Sequence, residues 1–130
     1  MRLMLLCSLM MLCLGCSGPS TGTVPTAQTE AGEGMNQLRD LMVEASSSVP
    51  PLKKKADVSQ FEGRYPAAVA GVNDGSLTIV WGKGIREGIG EDAEIIAHQT
   101  TPGADGTWAV LENAELKKIP ADEFSAKIGK

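Results

Sequence analysis

The chain has 130 residues, with 12 Lys and Arg against 16 Asp and Glu, one His and three Cys, for a formal net charge of -4. A mildly acidic chain with no basic cluster beyond Lys53-Lys54-Lys55 lacks the face that phosphates demand, so nucleic acid is not an expected partner. The length suits a single small domain.

Met1 and Arg2 form a minimal positive start, and residues 3–14 are an uncharged run of Leu, Met, Cys and one Ser. A bilayer core needs about 20 apolar residues in helical form, so this run is too short to span and has the length of a removable export signal. Leu14-Gly15-Cys16 then leads into a polar stretch rich in Gly, Pro, Ser and Thr. These residues resemble the bacterial lipoprotein signal. Cys13 stands where that signal usually has an aliphatic residue three places before the cysteine. The resemblance implies cleavage between Gly15 and Cys16, a diacylglyceryl group on the Cys16 sulfur, and an acyl chain such as palmitate on the new amino terminus. It also implies a place in the cell envelope outside the cytoplasm. Asp after the lipidated cysteine marks inner-membrane retention in that family, so Ser17 points towards the outer membrane. Two or three acyl chains hold a membrane far more firmly than one.

Cys7 and Cys13 lie inside the expected signal, which leaves Cys16 alone in the mature chain. No intramolecular disulfide is then available, and the fold must rest on an apolar core. Residues 17–34 offer almost nothing to bury and are expected to be a disordered tether, with an end-to-end distance of roughly 25 Å.

Residues 35–130 make up the expected domain. Met35, Leu38, Leu41, Met42 and Ala45 recur at helical spacing, with Asn36, Gln37, Arg39, Asp40 and Glu44 facing away, which predicts an amphipathic helix over 35–47. Pro50-Pro51 ends it. A short second helix is expected around 52–61, with the Lys run on its solvated face. The period then changes. Residues 67–72 and 77–81 read as strands around the turn Asn73-Asp74-Gly75-Ser76. A second pair, 93–98 and 107–111, flanks residues 101–106, and 115–119 follows the turn Glu112-Asn113-Ala114. Pro120 suits a helix start, with Ala121, Phe124 and Ile128 on one face, Asp122 and Glu123 in the first turn and Lys127 near the end. The expected fold is α+β: an N-terminal amphipathic helix packed on an antiparallel meander of four to five short strands, closed by a short C-terminal helix.

The order of helix, Pro-rich break, Tyr65-Pro66, Val80-Trp81-Gly82, Ile96-Ala97-His98, Trp108-Ala109-Val110-Leu111, Leu116-Lys117-Lys118-Ile119 and Asp122-Glu123-Phe124 resembles small planctomycete-type lipoproteins of unknown function. Its C-terminal part is similar to the sheet of pseudopilins and of prepilin-processing-associated domains. The resemblance implies an accessory role in a secretion or pilus-like system and assigns no functional residue.

Catalytic chemistry finds little support. His98 is the only histidine; on a strand, with Ile95 and Ala97 pointing inward, it faces out beside Glu94 and Ile96. A hydrolase built from His98, Asp105 and a serine lacks a nucleophile-elbow sequence. One His without a spare Cys falls short of a zinc site. Residues 82–88 (Gly-Lys-Gly-Ile-Arg-Glu-Gly) have neither the dinucleotide nor the P-loop spacing. Neither Asp74 nor Asp105 heads a calcium loop. No metal or cofactor is expected. The reading is a non-catalytic binding or scaffold module, held to a membrane through Cys16, with an unidentified envelope protein or ligand as its partner.

One connection stands out. Residues 82–92 are longer than the other strand turns, and long loops in compact domains often carry function. Gly82, Gly84, Gly88 and Gly90 remove side-chain cover, while Ile85 and Ile89 belong to no strand or helix pattern. Those two side chains are expected either to dock into a partner or to fold back over the sheet.

Overall fold

The computed structural model describes residues 27–48 and 51–128; the expected signal and Cys16 lie outside them. Helix α1 (Ala27–Ser48) is followed by a 3-10 helix (Lys55–Phe61), α2 (Pro66–Asp74), strands β1 (Leu77–Ile79), β2 (Ile95–Gln99), β3 (Thr107–Leu111) and β4 (Leu116–Ile119), and α3 (Ala121–Ile128). The strands form one antiparallel sheet in chain order. The fold is α+β, as expected.

In α1 the stripe Met35, Leu38, Leu41, Met42 and Ala45 is buried, extended by Ala31 one turn earlier. The helix begins within the stretch expected to be tether, with a break at Gly32 (φ 80°, ψ 167°). Near its C-terminal end the Ser46 and Ser47 hydroxyls donate to the carbonyls of Met42 and Val43, a local bonding that competes with the helix ladder. Two residues of the face expected to be free meet the next layer. Gln37 Oε1 accepts the amides of Ala67 and Ala68 at 2.8 and 3.4 Å, and Glu44 accepts the Tyr65 hydroxyl at 2.8 Å and pairs with Arg64.

The Gln37 contact explains how α2 starts. Tyr65, in the N-cap position, makes no side-chain cap bond, so a side chain from α1 satisfies the first amides instead. Residues 67–72 are therefore helix, not the strand expected from their apolar run. Three alanines favour helix, Pro66 sits in the first turn where its missing N–H costs nothing, and Gly75 ends the helix in the left-handed region at φ 85°. The signal read as a hairpin turn is a helix C-terminus. Lys55 donates to the Asn73 carbonyl at 2.6 Å, a cation at the negative end of the same helix. The expected second helix is the 3-10 turn: Asp57 accepts the amides of Lys53 and Lys54, Val58 and Phe61 are buried, and all three lysines are exposed.

The meander thus has four strands, with α1 and α2 on one face. Ile79, Ile96, Ala97, Trp108, Val110 and Leu116 join the core of these helices. The other face carries a smaller core of Ala93, Ile95, Ala109, Leu111 and Ile119, covered by Ile89 and by Phe124 of α3. Strand β3, with apolar cover on both sides, is buried at all five positions. A bulge in β2 corrects the expected alternation: Ile95 pairs with Leu111 but Ala97 with Val110. The extra residue, Ile96, turns towards the helices beside Ala97, while Ile95 lies on the other face. His98 also reaches that face, its ring edge-on to Phe124 with centroids 5.0 Å apart. The α3 helix begins one residue after Pro120, packs mainly through Phe124, and leaves Ile128 43% exposed.

Candidate functional site

The long connection between β1 and β2 is tied down on several sides. Gly82, at φ 85°, donates its amide to the Leu52 carbonyl at 2.8 Å, and the Ile85 amide donates to Ser46 Oγ at 2.8 Å. A Cβ on Gly84 would lie 2.9 Å from that same oxygen, so the close approach to α1 favours glycine there. The Arg86 amide donates to the Glu112 carbonyl at 2.7 Å. Ile85 packs against the core under the helices, whereas Ile89 packs against the core on the opposite face. The two isoleucines expected as a shared contact patch are half-buried on different sides of the sheet, and folding back is what the chain does.

The space between this loop, the end of α1 and the segment around Leu52 is a cleft of about 380 Å³. Met42, Ala45, Leu52 and Ile85 supply apolar walls, and Lys83, Arg86, Glu94 and Glu112 bring charge. Glu94 and Glu112 meet because they flank the paired strands β2 and β3: the Glu112 amide donates to the Glu94 carbonyl at 2.9 Å. Lys83 Nζ pairs with the Glu94 carboxylate. The Glu112 carboxylate is held differently. Its side chain is only 5% exposed, yet its contacts are long: Arg86 Nη1 at 3.5 Å and the Glu94 amide at 3.4 Å. The Arg86 side chain is 68% exposed, so its charge sits largely in solvent. A volume of this size with apolar walls and a few polar groups falls within the range of small-molecule sites, about 300–1,000 Å³.

Among the described residues, His98 and Asp105 each have partners other than one another. His98 Nδ1 lies 2.7 Å from the Gln99 carbonyl and its ring packs on Phe124. Asp105 is engaged by Lys118 Nζ at 2.5 Å, a hydrogen bond that holds its carboxyl below the usual range. Among the described residues no group of three or more His, Cys, Asp or Glu side chains is arranged to hold a metal ion, and no helix is long and apolar enough to cross a membrane. No family model, curated protein or solved structure matches the chain.

Sequence reasoning reached the loop through its length and glycines but missed Glu94, Glu112, Met42 and Leu52 as neighbours of one space. Glu112 read as a turn residue. Its burial follows from the β2–β3 pairing and the loop folded over it, and neither leaves a local pattern.

Proposed function

We propose that this protein is a secreted lipoprotein, held to an envelope membrane by lipid on Cys16, whose domain is a non-catalytic binding module. One observation carries the anchor: an uncharged run over 3–14, too short to span, followed by Leu14-Gly15-Cys16. The cleft beside the 82–86 loop supports a binding role, because it joins apolar walls to a few charged groups, Lys83 paired with Glu94 and Arg86 with Glu112. After cleavage before Cys16 the chain keeps 11 basic and 16 acidic side chains, for a net charge of about -5. A net negative charge opposes overall attraction to anionic headgroups. This supports lipid on Cys16 as the hold on the membrane.

Intact-mass measurement of protein extracted from membranes tests the anchor. The expected mass is that of the chain from Cys16 with a diacylglyceryl group and an amide-linked acyl chain, and Cys16→Ala should move the protein to the soluble fraction. A mature chain starting elsewhere, or a free Cys16 thiol, would overturn the reading.

A further inference from the structure

We propose that the cleft between the end of α1 and the 82–86 loop binds an aliphatic primary ammonium group, with the Glu112 carboxylate as its acceptor. The proposal rests on the binding-module reading and not on the lipid anchor.

The carboxylate of Glu112 is buried in this cleft and held only by long contacts. An ionised carboxylate offers about four acceptor positions and is costly to bury unless donors reach it at good distance. Strong charge-assisted bonds run at about 2.7–2.9 Å. Among the described residues the Glu112 carboxylate has two hydrogen-bond contacts, both at 3.4 Å or beyond, while its side chain is 95% removed from solvent. Neighbouring Glu94 is directly paired with Lys83, so Glu112 is the cleft carboxylate that is held by long contacts. Among the described residues Arg86 is the one side chain that donates to it, and the Arg86 side chain is 68% exposed.

What would meet that demand is a compact cation with several N–H donors and a body that suits the walls. Met42, Ala45, Leu52 and Ile85 are aliphatic or thioether groups, with no aromatic ring among the described lining residues. An aromatic cage would favour a quaternary ammonium. A buried carboxylate beside aliphatic walls favours a primary ammonium on an alkyl chain, whose three N–H groups fill lone pairs that water no longer serves. Arg86 then acts as a displaceable partner: it covers the charge in the empty cleft and gives way to the ligand.

The experiment uses full-length protein in a nonionic detergent, with n-pentylammonium as probe and 1-pentanol and pentanoate as controls of similar size, read by calorimetric titration and thermal shift. Pentylammonium should bind and raise the unfolding midpoint, and the two controls should do neither. Glu112→Gln keeps the shape and removes the charge, and should weaken binding by about tenfold or more. Arg86→Ala removes the competing guanidinium and should bind the probe at least as tightly as the parent. Equal response to pentylammonium and pentanol would overturn the proposal on the unaltered protein, whatever the variants do. So would unchanged affinity in folded Glu112→Gln. Neither failure bears on the mass of the lipidated chain, so the anchor stands or falls separately.

Discussion

Gly106 shows how much one residue carries at the β2–β3 turn. Gly103 and Gly106 exchange backbone hydrogen bonds at 2.9 and 3.3 Å, and Gly106 sits at φ 131°, a region that side chains rarely enter. A Cβ there would lie 2.6 Å from the Ile119 carbonyl oxygen, which is backbone and cannot rotate away. Gly106→Ala should therefore destabilise the domain by about 2–3 kcal/mol, measured by denaturant unfolding. An unchanged midpoint would mean that the turn reorganises freely. Tyr65 carries a pH signature. Its hydroxyl donates to the Glu44 carboxylate, and that bond, helped by burial, raises the phenol pKa above its ordinary value of about 10. A raised folded-state pKa means stability that is present below about pH 10 and lost as pH rises through the folded value. The parent should lose its advantage over Tyr65→Phe above that pH, and the gap between the two should be constant from pH 7 to 9.

At the scale of elements, the connection between β1 and β2 separates two ways of using an apolar side chain. Ile85 lies against the core beneath α1 and Ile89 against the core beneath α3, so each helps to close one face. Ile85→Ser with Ile89→Ser should cost about 2–4 kcal/mol, less than two fully buried isoleucines because both keep partial exposure. Measured stability within about 0.5 kcal/mol of the parent would return them to the role of contact residues. The same scale shows where local patterns suffice. The α1 stripe was legible because a period of 3.6 over several turns has no competing explanation. Residues 67–72 were not, since a short apolar run fits a buried strand or a buried helix equally. The deciding marks were the ends, Pro66 and Gly75, together with a cap from Gln37 that lies 30 residues away in sequence. The bulge at Ile96 and the burial of Glu112 depend on strand pairing. No window of neighbouring residues encodes them.

The described residues form one sheet with two unequal cores, and β3 belongs to both. Trp108 and Val110 face the helices, and Ala109 and Leu111 face α3 and Ile89. Losing packing on one face should therefore weaken the other, because the strand cannot leave one core and stay in the second. Leu38 tests this. It lies on α1, is fully buried under the larger core and is absent from the smaller one. Leu38→Ala should cost about 3 kcal/mol, through lost transfer energy and an incompletely filled cavity. Exposed Val43 on the same helix, changed to Ala, should cost within about 0.5 kcal/mol. Hydrogen exchange then reads how far the loss travels. If the sheet unfolds as one unit, the opening free energies of the Ala109 and Leu111 amides fall by the same amount as global stability. Should those amides keep their protection while Met35 and Leu41 lose theirs, the smaller core holds the meander together by itself. Cooperativity would then end at the interface between α1 and the sheet.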